Sequence, residues 1–182
     1  IIGQELRKQS LEQEGKLPNM LVGCVGGGSN FMGLIHEFLD DKEIEKVGVE
    51  AAETAALTNG THGIMQGMKT YMLQNADGSK SLGGASLGAG IQYFSVGPQH
   101  SFLKDQGAVK YTSATDDEIL DAYKLIARTE GICSALEPMA AASYVIKIAP
   151  KKPKDYIICL NLCGRGEKDL DTIQEHIGKD FE

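Results

Sequence analysis

The sequence predicts an α/β fold in three layers, a mostly parallel sheet with helices on both faces. Three observations carry that prediction. Residues 19–33 run from the apolar side chains of Met20, Leu21, Val22, Cys24 and Val25 through three consecutive glycines. Phe31, Leu34, Ile35 and Phe38 then recur at helical spacing. A second short run, residues 46–50, follows closely, and strand, helix, strand over about thirty residues is the crossover unit of a parallel sheet. Residues 156–160 are nearly all apolar, the composition of a strand buried in a parallel sheet.

The elements follow in order. Residues 4–14 are charged, carry Leu11 among few other apolar positions, and stop at Gly15 and Pro18, so they predict a surface helix. The first strand, the glycine turn and a helix to about Leu39 come next, then the second strand. From 51 to 97 the periodicity fades. Gly60, Gly63, Gly67, Gly78, Gly83, Gly84, Gly88 and Gly90 punctuate this stretch, which reads as functional loops in which Met65, Met68 and Met72 offer an adaptable apolar surface. Residues 95–100 form a turn into a short helix over 101–105. Residues 111–115 form a strand, and Thr115-Asp-Asp-Glu118 is a capping box opening a helix that Gly131 ends. Residues 135–148 are apolar nearly all round, hence a buried helix. A connector at 150–153, the strand at 156–160 and a polar C-terminal helix complete the chain.

Bulk properties exclude several classes. A net charge of −7 without clustered Lys or Arg argues against nucleic acid and anionic membrane, and Lys151-Lys-Pro-Lys154 reads as a solvated loop. No apolar run approaches a membrane span and no leader is visible. Cys24, Cys133, Cys159 and Cys163 have no metal-binding spacing and read as reduced thiols of a cytoplasmic protein. The chain opens on Ile1 without Met, which predicts a piece of something longer.

The chemistry concentrates at the glycine turn. Strand, bare glycines and helix start aim backbone N–H groups at one point and suit an anion, most often phosphate. Glu50 closes the second strand as a ribose-binding acid would, yet Gly26-Gly-Gly-Ser-Asn-Phe31 lacks the third glycine of a dinucleotide fingerprint, and no Gly-Lys-Ser/Thr follows. His36, His62, His100 and His176 belong to no paired catalytic motif and read as structural, His62 and His100 on loops. Glu137, before Pro138 at a helix start, either caps that helix or faces a ligand. Three loops qualify as ligand-facing: 26–30, 129–137 and 163–169.

Seven motifs in fixed order carry a resemblance: Gly26-Gly-Gly-Ser-Asn30, Val47-Gly-Val-Glu50, Gly67-Met-Lys69, Ser95-Val-Gly-Pro-Gln-His100, Thr115-Asp-Asp-Glu118, Glu130-Gly-Ile132 with Ala135-Leu-Glu137, and Asn161-Leu-Cys-Gly-Arg-Gly-Glu-Lys-Asp169. Together they resemble the C-terminal half of the tryptophan synthase beta chain family, from Ile1 to near the end. The resemblance implies that 1–182 is one α/β domain, the cofactor-binding half of a longer two-domain pyridoxal-phosphate enzyme of the second fold type. Such an enzyme makes L-tryptophan from L-serine and indole by β-replacement. Gly26, Gly27, Gly28, Ser29 and Asn30 would then cradle the phosphate of pyridoxal 5'-phosphate, with Glu137 beside the pyridine ring. Cys163 stands where the family usually has a serine bonded to the ring nitrogen. A monovalent cation, Na+ or K+, would be held by the backbone carbonyls of Gly26, Ile91, Tyr93 and Ser95.

Gln92 occupies the substrate-closure position, where the family has an aspartate. Met65 and Gln66 stand where it often has aromatic residues beside the indole channel. The Schiff-base lysine lies in the half before Ile1, since Lys69 and Lys168 match no such motif, so the resemblance implies that these residues alone are inactive. The implied partners are the alpha subunit, a second beta chain and the small substrates, in the cytoplasm. Two alternatives stay open: a cysteine-synthase-like or serine-dehydratase-like enzyme of the same cofactor class, or a non-catalytic binding fragment.

Overall fold

β1 (Met20–Cys24) is buried along its whole length and lies inside a four-stranded parallel sheet. The computed structural model describes residues 1–78 and 84–181. Strand order is β5-β2-β1-β6. β2 (Glu45–Ala51) pairs with β1 in the register Val22 to Val47, and β5 (Lys110–Ala114) lies outside β2. β6 (Ile158–Leu160) flanks the other side of β1, with Leu21 opposite Cys159. The chain therefore lays down β1, β2 and β5 in one direction and then returns to place β6 on the free side of β1. Strand order reverses between β1 and β6. Loops leaving the carboxyl ends of these two strands diverge there and open a crevice.

Helices cover both faces, as the alternation of strands and helices requires. On one face Leu21 and Val25 pack with Phe31, Leu34 and Ile35 of α2 (Ser29–Ile35), with Phe38 in the short turn after it and with Leu103 of α4 (Pro98–Asp105). α1 (Ile2–Glu14) lies outside α2, where Arg7 pairs with Asp41. On the other face Met20, Val22, Cys24, Val47 and Val49 pack with α5 (Asp116–Glu130), α6 (Glu137–Ile148) and α7 (Leu170–Ile177). Full burial of side chains such as Phe31 and Leu136 contributes roughly 1.5–3 kcal/mol each. α5 begins with the capping box, Thr115 accepting from the Glu118 N–H, and ends at Gly131 in the left-handed region. α6 is buried from Glu137 through Ser143, as its apolar circumference demands.

Three expectations need correction. The 51–97 stretch is not all loop: it contains the single turn α3 (Ala56–Asn59) and an antiparallel hairpin, β3 (Thr61–Met65) and β4 (Met68–Met72). Gln66 and Gly67 turn this hairpin with φ 49 and 79, the paired positive values of a tight two-residue turn. Met72 is core, whereas Met65 and Gln66 sit at the hairpin's tip with Met68, which is exposed. Gly83, one of the punctuating glycines, lies outside the described residues. The last strand is three residues long and only half-buried, because it forms the outer strand of the sheet. His62 and His100 lie on β3 and α4 rather than on loops. Among the described residues no helix is long and apolar enough to cross a membrane.

Candidate functional site

A cavity of about 460 Å³ opens where β1 and β6 end. Its wall includes Gly26, Gly27 and Gly28 from the loop after β1, Ser29 and Asn30 from the start of α2, Glu137 from the start of α6, and Cys163 from the loop after β6. The sequence pattern singles out all seven, and the crossover between β1 and β6 brings them together. Local sequence dictates the loop's shape. Gly28 has φ 103, a conformation a side chain resists, and a Cβ there would overlap the His100 imidazole. Gly26 approaches the Gly90 carbonyl closely, while Gly27 has open space before it.

The loop's carbonyls are drawn back into the protein. Gly97 N–H donates to the Gly27 carbonyl (3.0 Å), and Met32 N–H donates to that of Gly28 (2.9 Å). His100 Nε2–H also donates to the Gly28 carbonyl (2.7 Å), and its Nδ1 pairs with the Tyr111 hydroxyl (2.8 Å). Burial pushes His100 below the ordinary imidazole range, so the ring is neutral and holds this tautomer. With the carbonyls engaged, no described residue accepts from the N–H groups of Gly27 or Gly28. The first amides of a helix also lack intrahelical partners. Asn30 fastens the loop: its Nδ2 donates to the Cys24 carbonyl (3.3 Å), and its Oδ1 accepts from Asn161 Nδ2 (2.6 Å).

Opposite the loop lies an ionic cluster. Glu137 Oε1 accepts from the Gly90 N–H (2.7 Å) and from Lys168 Nζ (2.8 Å). Lys168 also pairs with Asp169, whose Oδ2 accepts from the Leu136 N–H (2.8 Å). Burial alone would push the Glu137 carboxyl up, but Lys168 and the backbone amides outweigh it and hold the group below the usual carboxylate range. Its Oε2 is buried and has no hydrogen-bond partner. Cys163 Sγ lies 3.6 Å from Cys24 Sγ. That contact holds Cys163 below the usual thiol range and, together with burial, pushes Cys24 well above it.

Other residues named from the sequence lie less centrally. Gln92 is exposed and donates to the Ser86 carbonyl, outside the cavity wall. Ile91 and Tyr93 line the cavity, and the Ile91 carbonyl accepts from the Thr54 hydroxyl (2.8 Å), while Ser95 bridges to Met72. Met65 and Gln66 are absent from the wall. The sequence reads His100 as structural without assigning it a contact, and it assigns no site role to Tyr111, Asn161 or Lys168. The motifs quoted above contain three of them, but nothing local shows that His100 folds beneath Gly28 or that Lys168 reaches Glu137.

Comparison with known proteins agrees with this geometry. Residues 1–164 match the family of pyridoxal-phosphate dependent enzymes. The tryptophan synthase beta chain of Dinoroseobacter shibae is 50% identical over 190 residues, covering 100% of this chain and 46% of its own length. That of Cereibacter sphaeroides is 49% identical over 191 residues with the same coverage, 100% and 46%. An O-ureido-L-serine synthase variant, bound to O-ureido-L-serine in its crystal structure, aligns with TM-score 0.68 at 17% identity. It covers 95% of this chain and 47% of that one, a likeness of fold alone. The chain spans about half the length of these relatives. A glycine loop at the strand-order reversal, an ionic cluster facing it and a family match over most of the sequence agree: the chain belongs to the pyridoxal-phosphate dependent enzymes.

Proposed function

We propose that this chain is the C-terminal, cofactor-binding half of an enzyme that makes L-tryptophan from L-serine and indole by β-replacement. The observation that carries the proposal is the convergence of the loop from Gly26 to Asn30, Glu137 and Cys163 on one cavity, in a chain about half identical to tryptophan synthase beta chains throughout. The residues fit pyridoxal phosphate. Gly27 leaves open space where a phosphate would need it, and the unpartnered Oε2 of Glu137 is a buried acceptor without a donor. The coenzyme supplies an electron sink for carbanionic character at the amino acid.

This chain's residues bind and orient. Amides of Gly27, Gly28 and Ser29 would receive the phosphate. Glu137, kept ionised by Lys168, sets the electrostatics beside the ring. Cys163, a weak hydrogen-bonding partner and not a carboxylate, would face the ring nitrogen without supplying the ionised acid that holds it protonated. Lys168, the one amine among the described wall residues, is committed to Glu137 and Asp169, which supports a coenzyme-bearing lysine outside this chain. A monovalent cation at the carbonyls of Gly26, Ile91, Tyr93 and Ser95, an alpha subunit, a second beta chain and a cytoplasmic setting belong to the same proposal.

A second reading is favoured by Gln92, an amide turned to Ser86 where the resembled family has an acid. It is a related enzyme acting on another nucleophile, or a dehydratase. Supplying the full-length protein with serine and either indole or sulfide decides between them. Tryptophan as the preferred product supports the proposal, and preference for sulfide, or pyruvate alone, overturns it.

A further inference from the structure

We propose that Cys24 and Cys163 form an oxidation site, which hydrogen peroxide closes into a disulfide across the cavity floor, reversibly blocking coenzyme loading. The two sulfurs are already 3.6 Å apart. Cys24 ends β1, and Cys163 follows β6, its parallel neighbour in register at Val22 and Leu160. Adjacent strands run about 4.8 Å apart, and the Cα atoms of a disulfide sit roughly 4.4–6.8 Å apart. Gly164, at φ 76, gives the loop a pivot just after Cys163. Side-chain rotation and a small loop movement complete the approach.

The two thiols are unequal in the way the chemistry needs. Cys163 is half-buried on the cavity wall, within reach of a small oxidant, whereas Cys24, which also borders the cavity, is only 4% exposed. Either sulfur can donate across the 3.6 Å contact, and only Cys163 stands open enough for its thiolate, the attacking form, to meet an oxidant. That thiolate attacks one peroxide oxygen, and the O–O bond breaks. A sulfenic acid forms at Cys163, and the departing hydroxide takes up the proton Cys163 had lost, giving water. Sulfur of Cys24 then attacks the sulfenic sulfur and the S–O bond breaks, the hydroxide leaving with the Cys24 proton as a second water. Each sulfur gives up one electron and the peroxide takes two. Cys159 packs on the opposite face of the sheet, with Leu21, and does not compete.

The block on loading rests on the proposed placement of the coenzyme ring against Cys163; the cross-link itself does not. To test both, full-length protein freed of pyridoxal phosphate is treated with hydrogen peroxide, digested with trypsin and weighed. The expected product joins peptide 17–42 to peptide 155–165, is lighter than their sum by two hydrogens, and is split by dithiothreitol. Because Cys159 shares the second peptide, Cys159→Ser must keep the cross-link, while Cys163→Ser and Cys163→Ala must both lose it. Coenzyme uptake, read from its visible absorbance, is then lost on oxidation and restored by reduction. Oxidation confined to Cys133, or a sulfinic acid at Cys163 with Cys24 still reduced, overturns the proposed site. A cross-link that leaves uptake unchanged overturns the block on loading and the ring placement with it.

Discussion

Gly27 and Gly28 are neighbours in one loop, and the structure gives them different tasks. Gly28 is needed for folding: its φ of 103 is strained for any side chain, and a Cβ would displace His100. A Cβ on Gly27 would meet nothing within 4 Å, so the missing side chain there matters only to what enters the cavity. Gly28→Ala should therefore destabilise the full-length protein by roughly 2–3 kcal/mol, from about 1–2 for backbone strain and about 1 for the weakened His100 bond. Gly27→Ala should change stability by less than about 0.5 kcal/mol yet weaken pyridoxal phosphate binding. Urea unfolding and a coenzyme titration on both variants check the split. Equal losses of stability, or unchanged coenzyme affinity in Gly27→Ala, contradict it.

Among the elements, α4 connects the histidine to the loop it supports. The buried ring of His100 stacks on Phe31 of α2 and bonds to both Gly28 and Tyr111 of β5, so protonation would bury a charge where three elements meet and reverse the Tyr111 bond. Folding lowers this pKa from its ordinary 6.5, chiefly through burial. The unfolded chain consequently binds the proton first as pH falls. This contribution to stability is whole above about pH 6.5 and is lost below it, toward the folded-state value. Unfolding free energy should fall between about pH 7 and pH 5, and His100→Gln should lack that component while being less stable at pH 7. An identical pH slope in the variant would show that the ring does not titrate this way.

The same scale shows what could be read from residues in sequence. β1, β2, α5 and α6 were legible because their apolar periods or a capping box are local signals. The hairpin β3–β4 is not legible, because β3 has no buried residue and β4 buries only Thr70 and Met72, too short a pattern to read as an alternating face. Its one local sign is the two-residue Gln66-Gly67 turn, weaker than an Asn-Gly pair. Composition reads β6 as buried, but burial of a strand depends on its neighbours, and β6 has one. The site was legible where it rests on contiguous glycines. His100 under Gly28 and Lys168 on Glu137 bridge 72 and 31 residues of sequence, distances at which no local pattern specifies a pair.

Across the whole molecule, strand order decides where chemistry can happen. Reversal between β1 and β6 leaves one crevice at the sheet's carboxyl edge, and both flanking loops deliver polar groups into it. On the proposed reading, this one crevice supplies the anion-binding loop and the ring-facing wall, and the coenzyme's covalent anchor comes from residues elsewhere. The direct measurement is a diffraction structure of the full-length protein with pyridoxal phosphate. The account predicts the phosphate within hydrogen-bond distance of the Gly27 and Gly28 amides, and the ring nitrogen against Cys163 Sγ. A phosphate bound outside this loop, or a ring nitrogen facing away from Cys163, would contradict it.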